Sequence, residues 1–179
     1  LGIESANTDV RQEVTKGKFQ ETNIKDIVSK IGEAGINTTG NYIFGLPTDT
    51  HQTMKETYDL SCELGTEYVN YYCAMAYPGS QLHRDALAKD KTLLPEYNGA
   101  GWIGYSQHSY ECFPLATERL QNWEILKFRD QAFLNYFNDE SYMNKTTAKF
   151  GPQFKEQIGK MLGATNNKPL NRKIVAENS

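Results

Sequence analysis

Three small polar groups stand where apolar runs end or begin. Glu4-Ser5 follows Leu1-Gly2-Ile3, Asn41 precedes Tyr42-Ile43-Phe44, and Met75-Ala76-Tyr77 closes the aromatic run that starts at Tyr68. A carboxylate, an amide and hydroxyls on one rim suit a ligand with ribose hydroxyls or an amino-acid head group. They meet only if the runs are parallel neighbours in one sheet, because Asn41 lies 37 residues and Met75 lies 71 residues beyond Glu4. Polar residues also simply mark where strands leave a core, and spacing alone leaves both readings open.

The elements that must position these groups follow from pattern. The apolar residues Tyr42, Ile43 and Phe44 are β-branched or aromatic, as strands prefer. Pro47 cannot continue a strand ladder, and Thr48, Asp49 and Thr50 offer oxygens to a helix opening near His51. Gly45-Leu46-Pro47 is therefore a strand-to-helix corner, where open α/β folds place ligands. Helices are expected over residues 8–15 (Val10 and Val14), 23–34 (Ile24, Ile27, Val28 and Ile31), 51–64 and 81–89. Strands are expected over residues 1–3, 36–46 and 68–76. This alternation through residues 1–89 argues an α/β class with about three parallel strands and right-handed crossovers. Residues 90–117 read as a long loop broken by glycines and prolines. Residues 118–179 read as a helical extension, with an apolar face from Leu120 to Phe137, a helix opening at Gly151-Pro152, and a polar tail that is a loose helix or disordered.

Totals narrow the partners. A net charge of −3 over 179 residues gives no reason to expect nucleic acid. No run reaches the roughly 20 apolar residues that span a bilayer, and three scattered cysteines make a reducing cytoplasm the expected compartment. Cys62, Cys73 and Cys112 are too widely spaced for a disulfide framework or a metal knuckle. Cys62 and Cys73 are expected in the core. His108 and Cys112 supply only two of the four ligands a structural metal usually needs, and no metal ligand or catalytic residue is assigned. Trp102, Tyr105, Tyr110 and Phe113 either pin their loop or stack on a planar ligand. Gly99-x-Gly101-x-x-Gly104 neither follows a strand nor opens a helix, so it is not a dinucleotide signature. The chain opens at Leu1 inside an apolar strand, which suggests a piece of a longer protein.

Leu1-Gly2-Ile3-Glu4-Ser5, Lys16-Gly17, Ala34-Gly35-Ile36, Ile43-Phe44-Gly45-Leu46-Pro47 and Tyr77-Pro78-Gly79-Ser80 stand in an order that resembles the radical S-adenosylmethionine (SAM) enzymes. The resemblance is to the subgroup carrying an N-terminal cobalamin-binding domain, and covers about residues 1–85. It implies the C-terminal half of a partial (β/α)6 TIM-like barrel plus a helical extension. It also implies a parent with a [4Fe–4S] cluster, SAM and cobalamin. By motif position, Glu4, Ser5, Lys16, Asn41, Ile43, Met75 and Tyr77 would contact SAM. The family's CxxxCxxC cluster loop is absent, so this chain alone is expected to be inactive and to hold no stable cluster.

Two other classes compete. A non-catalytic assembly module would use an exposed sheet edge to form a homo-oligomer or to meet the missing half of a barrel. A fragment of an unrelated TIM barrel would bind phosphate on its strand-end loops.

Overall fold

The computed structural model describes residues 1–15, 23–166 and 172–178. Three strands, β1 (Gly2–Glu4), β2 (Thr39–Phe44) and β3 (Tyr68–Cys73), form a parallel sheet in the order β1-β2-β3. Helices α1 (Thr8–Thr15) and α2 (Ile24–Glu33) connect β1 to β2, α3 (His51–Leu64) connects β2 to β3, and α4 (Gln81–Lys89) follows β3. The expected α/β layer is present. The described residues form an open three-stranded sheet, and closure into a barrel is not seen among them.

Residue alternation assigns the two faces of the sheet. Ile3, Tyr42, Phe44, Val69, Tyr71 and Cys73 are buried in the main core with Met54 of α3. Helix α5 (Asn122–Asn138) adds Ile125, Leu126, Ala132, Tyr136 and Phe137 to that core. Helices α6 (Glu140–Phe150) and α7 (Pro152–Asn166) close it with Tyr142, Ile158 and Leu162. The alternate residues Asn41, Ile43, Asn70 and Tyr72 are only half-buried. The sheet thus has one face under helices and one face that keeps polar groups within reach of solvent.

Helix α3 buries an unexpected side. Met54, Thr57 and Ser61 face inward, whereas Cys62 is exposed. The inward polar groups are satisfied: Ala6 N–H donates to Thr57 Oγ1 at 3.0 Å, and Ser61 shares a hydrogen bond with the Tyr71 hydroxyl. Hydrogen-bonded hydroxyls bury at little net cost, so the core position expected for Cys62 goes to Ser61. Cys73 is buried as expected. Helix α2 carries the expected stripe but buries none of its residues, and Ile27 is 40% exposed.

The C-terminal region is more ordered than its polar composition suggests. Helix α5 opens at Asn122, where Gln121 N–H donates to Glu124 Oε2 at 2.8 Å, a capping contact that the apolar pattern alone placed a few residues early. Within the polar tail, α8 (Lys173–Ala176) buries Ile174 and Val175, and Arg172 Nε pairs with Asp130 at 3.1 Å. That docking is a correction to the loose-helix-or-disordered reading for residues 172–178.

Candidate functional site

The strand-to-helix corner is built by one buried carboxylate. Asp49 is 1% exposed; its Oδ2 accepts from Leu46 N–H at 2.9 Å and its Oδ1 accepts from the Thr53 hydroxyl at 2.6 Å. Burial raises the Asp49 pKa, and these hydrogen bonds oppose the rise. The cap of α3 is Thr50, whose Oγ1 accepts from Thr53 N–H at 3.1 Å. Asp49 therefore ties the corner at Leu46 to the first turn of α3 at Thr53, while Thr50 supplies the cap. Gly45 has φ +78°, and a Cβ there would stand 2.6 Å from Ile125 Cγ2. Only glycine meets both the left-handed backbone and the close approach of α5.

On the half-open face, polar side chains from all three strands come together. Asn41 pairs in register with Gly2 of β1 and with Asn70 of β3. Asn70 Nδ2 donates to Asn41 Oδ1 at 2.9 Å. Glu4 takes φ +65° at an irregularity in β1, and its Oε1 lies 2.8 Å from where a Gly2 Cβ would stand. The Glu4 carboxylate thus folds over Gly2, beside Asn41. A non-glycine residue in the left-handed region is strained by roughly 1–3 kcal/mol, a feature that recurs at functional sites. Burial raises the Glu4 pKa, and the chain's ammonium group opposes this.

The residues expected to line a site separate into three groups. Glu4, Asn41 and Ile43 lie on or beside the half-open face, with Asn41 mid-strand: β2 ends three residues later at Phe44, roughly 10 Å further along. Ser5 and Met75 are buried. Ser5 Oγ accepts from Asn7 N–H and contacts Thr57 Oγ1 at 3.2 Å, which ties the end of β1 to α3. Tyr77 is 46% exposed and stacks on Tyr105 with centroids 5.8 Å apart. Lys16 lies outside the described residues. Asn70 and Tyr72 share the half-open face with Asn41 and Ile43, as their alternation with Val69, Tyr71 and Cys73 requires.

The glycine-rich loop is held by a buried ionic cluster that the sequence did not reveal. Asp130 sits between Arg129 at 2.6 Å and Arg172 at 3.1 Å. Arg129 donates to Gln107 O at 2.9 Å, while Arg172 donates to His108 O and Ser109 O. Gln107 uses its side-chain amide like a strand: Cys73 N–H donates to its Oε1 and its Nε2 donates to Cys73 O. The edge of β3 is covered there. Burial pushes the Cys73 thiol up to about 12 and Cys112 up to about 11, with Arg129 opposing in each case. Both thiols are inert at neutral pH. Among the described residues, no group of three metal-ligating side chains converges, His108 and Cys112 included.

A cavity of about 330 Å³ opens beside the corner, between Pro47, α4 and residues 115–118. Leu82, Ala86, Leu93 and Leu115 line it, and Lys89 pairs with Glu118 at 3.5 Å among its polar residues.

Two curated proteins similar to part of this chain are named as methyltransferases. No family model matches the chain. An uncharacterised methyltransferase of Pyrococcus horikoshii is 29% identical over 93 residues, covering 52% of this chain and 20% of that protein. The bacteriochlorophyllide d C-12(1)-methyltransferase of Chlorobaculum tepidum is 28% identical over 80 residues, covering 45% of this chain and 18% of that protein. The matched stretch thus spans about a fifth of either relative's length. These findings correct the family reading drawn from the motif series. Both relatives are named for methyl transfer, and neither the family search nor the relatives' names support a radical SAM assignment with iron–sulfur and cobalamin. No helix among the described residues is long and apolar enough to cross a membrane.

Proposed function

We propose that this chain is part of a methyltransferase and that the half-open face of its sheet contributes to binding the methyl donor, S-adenosylmethionine. The observation that carries the reading is the convergence of Glu4, Asn41 and Asn70 on one face in a chain whose relatives are methyltransferases. When bound, the donor supplies an activated methyl group. The chain's own residues supply recognition. Glu4 and the Asn41 carbonyl oxygen accept from hydroxyl or ammonium groups, and the amides of Asn41 and Asn70 donate to oxygens. Ile43 packs against Val10, Leu46 and Ala74 and offers an apolar wall on the same side. Ser5, Lys16 and Met75 complete the proposed set, with Ser5 and Met75 acting from behind by fixing the strand ends. The Chlorobaculum relative is named for methylating a bacteriochlorophyllide, a flat conjugated ring. We extend that acceptor class to this chain.

Titration calorimetry with S-adenosylmethionine tests the reading. Binding is expected, and Asn41→Leu should weaken it about tenfold, the worth of roughly one hydrogen bond. Equal affinity in Asn41→Leu, or no heat with either protein, contradicts it.

A further inference from the structure

Beyond the end of β3, three aromatic rings stand in series. Tyr105 is the middle member, 8% exposed, with Tyr77 stacked 5.8 Å away at 29° and Trp102 at 6.0 Å and 35°. The outer two are exposed: 46% for Tyr77 and 69% for Trp102. Contiguous exposed apolar patches, unlike single exposed side chains, mark interaction sites. The middle ring is fixed from behind. Its hydroxyl donates to Glu96 Oε2 at 2.6 Å, and Glu96 Oε1 lies 3.0 Å from His83 Nε2 of α4. Glu96 and His83 are each only 13% exposed in their side chains, so the clamp is sheltered. Backbone bonds hold the loop as well: Gly104 N–H donates to Gly101 O, and Phe113 N–H donates to Gly104 O. A Cβ on Gly104 would stand 2.5 Å from Pro95 Cβ, so the turn is packed tight behind the rings.

A core cluster would bury all three rings, and a solvated surface would not orient them. Rings held at 29° and 35° to the central one, with exposed outer members, offer π-faces of the kind on which proteins stack flat π-systems. We infer that Tyr77, Tyr105 and Trp102 form a stacking shelf for a flat conjugated ring, the acceptor of the methyl group. This rests on the methyltransferase reading above. The shelf lies beyond the C-terminal end of β3, the end at which open α/β sheets take their ligands. Tyr105 acts as a positioning residue through Glu96, while Tyr77 and Trp102 touch the ring.

Quenching of tryptophan fluorescence by protoporphyrin IX tests the shelf. The chain has two tryptophans, Trp102 and Trp123, and Trp123→Phe isolates the shelf signal. Saturable binding is expected in that background, and Tyr77→Ala should weaken it about tenfold. Trp102→Ala should do the same when absorbance is the readout. Tyr105→Phe, which keeps the ring and loses the bond to Glu96, should weaken binding a few-fold, whereas Tyr110→Ala should leave it unchanged. Equal affinity in wild type, Tyr77→Ala and Trp102→Ala overturns the inference. So does light scattering that shows a dimer dissolved by Trp102→Ala, which would make a second copy the occupant. Calorimetry with S-adenosylmethionine on the same samples separates the two claims. Donor binding without porphyrin binding overturns the shelf alone; porphyrin binding without donor binding overturns the methyl-donor reading and leaves the shelf.

Discussion

Asn70 donates its side-chain amide to Asn41 across the β2–β3 pair at 2.9 Å, on the half-open face of the sheet. The bond fixes both amides in orientation. Among the described residues, none takes the remaining Asn41 amide hydrogens, so they point a ready donor at whatever lies over the sheet. Asn70→Ala is expected to loosen Asn41 without unfolding the chain, at a cost of about 1 kcal/mol. A thermal melt close to that of wild type, together with weakened donor binding, is the expected pair of results.

The corner should be far less tolerant. Gly45→Ala sets a Cβ against Ile125 and holds it at φ +78°, which is expected to cost about 2–4 kcal/mol from strain and overpacking. Asp49→Ala removes the acceptor for Leu46 N–H in a site that is 1% exposed. An unsatisfied buried donor costs about 1–3 kcal/mol. Chemical denaturation should rank Gly45→Ala as at least as damaging as Asp49→Ala.

How much of this was legible in the sequence differs by element. The run from Tyr42 to Pro47 showed strand, corner and helix, because an apolar triplet, a glycine and a proline each constrain the backbone locally. Parallel order followed from alternation. The side chains that tie elements together were hidden. Ser61 reads as a polar helix residue until Tyr71 is placed beside it, and Gln107 reads as loop until it completes the edge of β3. Asn41 sits three residues before the end of β2 rather than on the rim, since register is set by long-range pairing rather than by local pattern. Arg172 lies in a polar tail, and only its contact with Asp130 makes it structural.

That ionic cluster gives a further expectation. Asp130 is the sole carboxylate paired with Arg129 and Arg172 among the described residues. Asp130→Asn leaves two guanidinium groups without their counter-charge in a buried site, at an expected cost of about 3–5 kcal/mol. Arg172→Met should cost less, because Arg129 still neutralises Asp130. Hydrogen exchange should show residues 104–112 opening first in either variant.

Stability against pH should report on Glu67. Burial alone would raise its pKa, but the Lys149 ammonium and the Thr38 N–H pull it down from the usual carboxylate range to about 2. A depressed carboxylate stabilises the fold fully above its unfolded value. That contribution is lost as pH falls from about 4.5 to about 2. Glu67→Gln should flatten this acid limb of the unfolding curve. Glu4 has the opposite sign: its raised pKa favours the neutral form, so Glu4→Gln should stabilise at neutral pH and lose that advantage in acid.

The central claim is that the half-open face takes the methyl donor, and the side-chain amide resonances of Asn41 and Asn70 read it directly. On titration with S-adenosylmethionine, both pairs of amide signals should shift along a saturable curve, while those of Asn122 and Asn135 on α5 stay in place. Shifts confined to other residues, with Asn41 and Asn70 unmoved at saturation, would contradict the account.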